Sequence, residues 1–372
     1  MPRHIVDLSP TVEKLAWDSV KKGLYASFDH LVSVALENQL KADQGNAESW
    51  HAVPSQRGRT LARRRADIRE QDAAHPDVAL GSFGGEPALT LSTARQLMAE
   101  ASQPVPEKPR MADEPADESL VGTILWGQFY RFLPIKPALR VLARSSTTEL
   151  PILSAFKEKA CLVAEAFGTI LRESDRVRGK KLGEKLSTSF PESVPKSRRR
   201  YQDQYLAYVR PSDRRLDGMC ARLKFINIVS QGDELRIGIT PAGLEYASLP
   251  NPIVDGIEGA TAPLTRNESL LLIGHIASKL PEELRHMHAM VALIGQGVGT
   301  RERLNEKMGE YYASYYDHEG TWTAALVNTM RAGVQSRLFE LGLVERSKTG
   351  RGVSYTLSDF GEHFLNELPA EA

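Results

Sequence analysis

Residues 2–41 constrain this chain more than any other stretch, because they spell elements too small to bury themselves. His4-Ile5-Val6-Asp7-Leu8 is a short β-prone run with no room for a hairpin partner. Ser9 is suited to cap a helix and Pro10 to open it. Val12, Leu15, Ala16, Val20 and Leu24 then recur at three-and-four spacing, which predicts a helix with one apolar face. Gly23 stands where a left-handed C-terminal residue belongs. Ser27 caps a second helix, and Leu31, Val32, Ala35, Leu36 and Leu40 repeat the stripe. One strand and two helices cannot make a core, and a lone strand leaves an open edge. Two copies that pair their strands antiparallel and interlock their helices remove both problems, so the stretch predicts a homodimer.

The run Val6-Asp7-Leu8-Ser9, the turn Gly23-Leu24-Tyr25-Ala26-Ser27 and the segment Val32-Ser33-Val34-Ala35-Leu36-Glu37-Asn38 resemble the ribbon-helix-helix family over roughly a tenth of the chain. The resemblance implies double-stranded DNA as a partner, with the paired ribbon in the major groove. Alternation puts Val6 and Leu8 inward and Arg3, Ile5 and Asp7 outward. Arg3 suits guanine and Asp7 suits cytosine, whereas Ile5 offers only apolar contact. Ser27 opens the second helix, where free backbone N–H groups face a phosphate. The other use of such an element is dimerisation without DNA contact.

Any DNA surface must be local, because 47 Lys and Arg are balanced by 47 Asp and Glu. Apolar content of 41% and charged content of 25% are ordinary for a soluble globular protein, and 372 residues suffice for two or three domains. Cys161 and Cys220 are the only cysteines, which argues against a disulfide framework or a cysteine-rich zinc site. No long apolar run suggests a membrane span, and residues 1–30 show no signal-peptide pattern, so a cytoplasmic location is expected.

From residue 42 to 118 prolines and glycines recur, which predicts a flexible linker with short helical islands. One island, Leu61 to Gln71, crowds Arg57, Arg59, Arg63, Arg64, Arg65 and Arg69 together. The other, Ser92 to Ala101, reads as a segment that docks on a protein partner or on the chain's own body. The body begins near Ser119. Leu120 to Leu142 predicts two helices broken by Pro134 and Pro137, and Leu150 to Leu171 predicts a long apolar-faced helix.

Two stretches, residues 181–249 and 301–368, read as versions of one pattern. Each has a short helix (Leu182–Leu186; Leu304–Met308), a tyrosine-rich stretch (Tyr201–Tyr208; Tyr311–Tyr316) and an amphipathic helix (Arg214–Phe225; Met330–Leu341). Each then has a hairpin, over residues 226–240 and 343–357. The closers match too: Thr240-Pro241-Ala242-Gly243-Leu244 and Leu357-Ser358-Asp359-Phe360-Gly361.

This order, and above all Arg337-Leu338-Phe339-Glu340-Leu341-Gly342-Leu343-Val344, resembles the winged-helix family. The resemblance implies DNA contact by the third helix and the wing. The candidates are Arg214, Arg215, Arg222 and Lys224 in the first copy. In the second they are Arg331, Gln335, Arg337, Arg346, Lys348 and Arg351. Between Arg172 and Arg215 there are 13 Lys and Arg against 6 Asp and Glu. Lys180, Lys181, Lys196, Arg198, Arg199 and Arg200 form the centre of this insert, with Tyr201, Tyr205 and Tyr208 interleaved, a mixture that suits nucleic acid. Its prolines and serines predict a loop that is mobile until DNA orders it. Protein interaction is the alternative use of a winged helix.

No catalytic constellation is legible. There is no phosphate loop, nucleophile elbow or D-x-D run, and His275, His286 and His288 lack the spacing of a metal site. The expectation is a mainly α protein with small β ribbons and wings, without enzyme activity, cofactor or metal. It comprises a ribbon-helix-helix (1–41), a flexible linker (42–118), a helical region with the first winged helix (119–250) and the second winged helix (251–372). Transcriptional regulation is the expected role. The alternatives are a DNA-binding subunit of a plasmid maintenance, replication or anti-phage defence complex, and an interaction scaffold.

Overall fold

The computed structural model describes residues 89–116, 124–180, 184–231, 234–256, 260, 262–315, 322–349 and 352–367. The expectations for residues 1–41 and for the arginine-rich island lie outside these residues. The described helices and strands fall within one compact unit, residues 87–317 and 324–372. They are mainly helical, with three two-stranded antiparallel sheets. Among the described residues no helix is long and apolar enough to cross a membrane.

Helix α1 (Leu91–Ser102) is the second island, and it lies on the body. Its cap is Thr90, whose hydroxyl accepts from Thr93 N at 3.1 Å. Arg144 donates to the carbonyl of Ala101 at 3.0 Å, and Ser102 to that of Val254 at 2.5 Å. Helix α2 (Ile135–Ser145) begins just after Pro134 and carries Pro137 in its first turn, where a missing N–H costs nothing. The helix expected before Pro134 does not form over the described residues 124–134, which run as turns. Helix α3 (Leu153–Val177) follows. Next come α4 (Pro195–Arg200), a π-helical turn (Tyr201–Leu206), β1 (Tyr208–Val209), β2 (Leu216–Asp217), α5 (Met219–Arg222), β3 (Ile226–Gln231), β4 (Glu234–Ile239) and α6 (Pro241–Ser248). The second half holds α7 (Arg266–Lys279), α8 (Pro281–Gly295), α9 (Arg301–Tyr315), α10 (Ala324–Glu340), β5 (Val344–Thr349), β6 (Gly352–Leu357) and α11 (Asp359–Glu367).

The two halves repeat one junction atom for atom. Ile152 bridges Arg236 and Thr300 bridges Ser354, in both cases at the fourth pair above the hairpin base, Ile226↔Ile239 or Val344↔Leu357. Ile237 N donates to the carbonyl of Pro151 and Tyr355 N to that of Gly299, each at 2.9 Å. The Thr240 hydroxyl donates to the carbonyl of Lys224 and the Ser358 hydroxyl to that of Gly342, both at 2.6 Å. The same hydroxyls accept from Gly243 N at 3.2 Å and Gly361 N at 3.0 Å, capping α6 and α11. Lys224 and Gly342 share the left-handed backbone region, with φ of 53° and 76°.

These contacts correct the register expected from sequence. Phe225 corresponds to Leu343, not Leu341, and the counterpart of α9 is α3. Residues 184–186 are turn rather than helix. The helix expected over Arg214–Phe225 is reduced to α5, because the β1–β2 ribbon interrupts it and Arg214 takes a φ of 57°.

The matching glycines have a shared cause. A Cβ on Gly243 would collide with the carbonyl oxygen of Phe225, and one on Gly361 with that of Leu343. Gly243→Ala and Gly361→Ala should each lower stability by about 1–3 kcal/mol, the usual cost of overpacking. Urea unfolding of the two variants checks this, and similar losses are expected because the junctions are equivalent.

Candidate nucleic-acid interface

A helix that enters a groove needs an exposed face, and α10 has almost none. Val327, Met330, Arg331, Gly333, Val334, Gln335, Arg337, Leu338 and Glu340 are buried, and its fully exposed positions are confined to Ala324 and Ala325. The turns at residues 124–133 cover it. Arg337 donates to the carbonyls of Leu125 at 3.1 Å, Trp126 at 3.3 Å and Phe129 at 2.5 Å. It also pairs with Glu283 at 2.7 Å, and both side chains are 0% exposed. Glu283 in turn accepts from Leu125 N at 3.1 Å. Glu340 accepts from Phe132 N and, at 3.1 Å, from Leu133 N. The backbones of Gly127 and Gly333 touch with no space for a Cβ on either. From the opposite side Arg222 donates to the carbonyl of Ile124 and pairs with Asp217, both at 2.6 Å, and lies over the Trp126 ring.

Two of the expected DNA contacts are therefore core groups. Arg222 and Arg337 are inaccessible, and their donors are spent on backbone carbonyls and carboxylates. Arg331 and Gln335 are also buried, at 5% and 3% exposure. Lys224 lies at the first junction, 8% exposed. Local spacing carries no sign of this, since arginines on an amphipathic helix ordinarily face water.

The basic insert is only partly a surface. Lys196, Arg199, Arg200, Arg214 and Arg215 are exposed, and Lys180 is half-buried. Arg198 turns inward to Glu165, which is fully buried, at 2.6 Å, and with Ser193 fastens α4 to α3. Tyr201 and Tyr205 are buried and stacked at 5.6 Å, and the Tyr201 hydroxyl donates to the carbonyl of Pro134 at 2.6 Å. Of the three interleaved tyrosines only Tyr208 is exposed. The described part of the expected mobile loop is anchored: Asp175 accepts from Leu186 N at 3.1 Å and Ser187 N at 2.9 Å, and Phe190 stacks on Phe167.

The exposed basic groups have weak local partners. Arg199 lies 3.6 Å from Asp203, and Asp213 lies 3.5 Å from Arg210 and 4.0 Å from Arg215. Pairs so open to water hold little energy and yield easily to a phosphate. In the second hairpin Arg346 pairs with Glu184 at 2.7 Å, and Lys348 is exposed. Arg3, Ile5, Asp7, Ser27, Lys181 and Arg351 lie outside the described residues.

Other chemistry is muted. Burial pushes the Cys161 thiol up to about 12 and Cys220 higher still. Burial, then Arg337, pushes His286 down to about 3, where it sits edge-on to Tyr311 and Tyr312. The His275 ring meets the carbonyl of Leu223 at 2.6 Å. Among the described residues no group of three or more His, Cys, Asp and Glu side chains is placed to hold a metal. No protein-family model, curated protein or solved structure matches this chain.

Burial pushes the Glu340 carboxyl up to about 7, against the opposing pull of Arg131 and the N–H groups of Phe132 and Leu133. The unfolded chain ionises this group first, so its contribution to stability falls as pH rises from the usual carboxylate range to about 7 and is level above that. Glu340→Gln should remove that slope. Urea midpoints of wild type and variant, compared across this window, should diverge at its acid end relative to its neutral end.

Proposed function

We propose that this chain is a non-enzymatic, homodimeric DNA-binding protein whose role is transcriptional regulation. The observation that carries the reading is the exposed group Lys196, Arg199, Arg200, Arg214 and Arg215 on α4 and the β1–β2 loop, set in a chain of zero formal charge. The fold turns Arg198, Arg222, Arg331 and Arg337 inward and leaves these at the surface, where phosphates can replace weak aspartate partners. The repeated order of helix, bridge, helix, helix, hairpin and capped helix supports the winged-helix resemblance. DNA contact then belongs chiefly to the first repeat, with Lys348 and Arg351 of the second hairpin as an outlying contact. Residues 1–41 supply the dimer and a second DNA element.

Fluorescence anisotropy with duplex DNA over a range of salt tests this. Replacing the five exposed residues with alanine should weaken binding and lower the salt slope by roughly one unit for each phosphate contact removed. An unchanged slope would transfer the body to the protein-interaction class, which the covered face of α10 favours as the second reading. Removing residues 1–41 should reduce the mass seen by light scattering to that of a monomer. A truncated chain that stays dimeric would place the dimer contact in the body instead.

A further inference from the structure

One pocket holds a buried cation that pairs with no carboxylate among the described residues. It lies between α10 and the second hairpin, encloses about 350 Å³, and is lined by Tyr130, Arg331, Gln335, Phe339, Arg346 and Tyr355 among others. Arg331 donates through Nε to Asn305 Oδ1 at 2.8 Å, through Nη2 to Asn328 Oδ1 at 3.0 Å, and through Nη1 to Gln335 Oε1. All three acceptors are neutral amides. Among the described residues no carboxylate pairs with it, although it is only 5% exposed. The contrast with the other buried cations is sharp. Lys136 has Glu268 at 2.6 Å, Arg222 has Asp217 at 2.6 Å and Arg337 has Glu283 at 2.7 Å. A buried charge without a partner is costly, and these three pairs avoid it.

A second observation points the same way. Gln335 gives its oxygen to Arg331, and its Nε2 is buried with no acceptor among the described residues. Arg346 Nε is in the same state, while its Nη1 is engaged by Glu184 at 2.7 Å. Glu184 answers the charge of Arg346, so Arg331 supplies the pocket's uncompensated charge. Each Nη of Arg331 still has an N–H to give. Phe339, Tyr130, Tyr355 and Ala332 supply apolar surface beside these donors.

We propose that this pocket binds a small organic monocarboxylate with a flat apolar body. The carboxylate is received by Arg331, Gln335 Nε2 and Arg346 Nε, and the body lies against Phe339 and the two tyrosine rings. A planar guanidinium matches a carboxylate geometrically, and the single uncompensated charge suits a monoanion. The volume is that of a small ligand site. The assignment stands apart from the DNA reading, since it rests on an internal charge imbalance.

The full chain should be titrated with benzoate and indole-3-acetate by calorimetry, with benzyl alcohol as the neutral control and inorganic phosphate as the bare anion. Saturable binding of at least one carboxylate, and none of benzyl alcohol, is expected. Arg331→Met should weaken it roughly ten- to hundredfold, the equivalent of a charge-assisted hydrogen bond. Ala332→Trp, which fills the pocket from its wall, should abolish it. Arg331→Met should lower the unfolding temperature by no more than the loss of its three neutral amide hydrogen bonds accounts for, because the deleted charge had no anionic partner. Failure of wild type to bind either carboxylate at millimolar concentration overturns the proposal, as does binding that survives both substitutions. Phosphate binding as tight as benzoate would overturn the organic ligand, and a large loss of stability in Arg331→Met would show a structural role instead.

Discussion

The ion pair between Arg337 and Glu283 holds the described structure together. Residues 124–133 carry buried backbone polar groups but form no strand or helix that could satisfy them, and such groups need partners. Arg337 takes the carbonyls of Leu125, Trp126 and Phe129, Glu283 takes the N–H of Leu125, and Glu340 takes those of Phe132 and Leu133. A buried ion pair repays its desolvation only when its remaining donors and acceptors are also engaged, and here they are. Burial still raises the Glu283 carboxyl above its usual range, with Arg337 pulling against it. Side chains here do the work that a sheet ladder does elsewhere.

That arrangement divides labour between two similar halves. The second repeat spends its third helix on internal packing. In the first repeat the β1–β2 ribbon interrupts the corresponding stretch and carries exposed arginines outward. The same junction of bridge, hairpin and capped helix thus serves one packed helix and one open edge. A further buried pair, Lys136 with Glu268, ties α2 to the first turn of α7, where Glu268 also completes the capping box with Thr265. Burial, partly offset by Glu268, brings the Lys136 ammonium down to about 8.

Local chemistry made much of the fold legible. The two hairpins and their Thr240 and Ser358 closers follow from strand alternation and cap residues, and the long helix α3 from its periodicity. What could not be read was decided by contacts distant in sequence. Arg222, Arg331 and Arg337 look like solvent-facing arginines until residues 124–133 and the second hairpin are placed around them. The tyrosines at 201 and 205 suit base stacking equally well until Pro134 supplies a carbonyl for one of them. Periodicity pairs Phe225 with Leu341 because it joins a helix that the ribbon at 208–217 breaks. The exposed Lys196, Arg199, Arg200, Arg214 and Arg215 were legible as a charge cluster, while the pocket around Arg331 left no signal in local spacing.

The close seating of Gly127 on Gly333, with Arg337 reaching a carbonyl 208 residues earlier, bears on how this body is made. Contacts of such sequence separation require a large loop to close before they return any free energy, which slows folding. While the chain is being synthesised, the turns at 124–133 emerge long before α10 exists, and their carbonyls have only water to bond. Neither repeat can complete its core by itself. The last helices therefore finish the first half as well as their own, and the body folds as one late, cooperative event rather than as beads assembled in order.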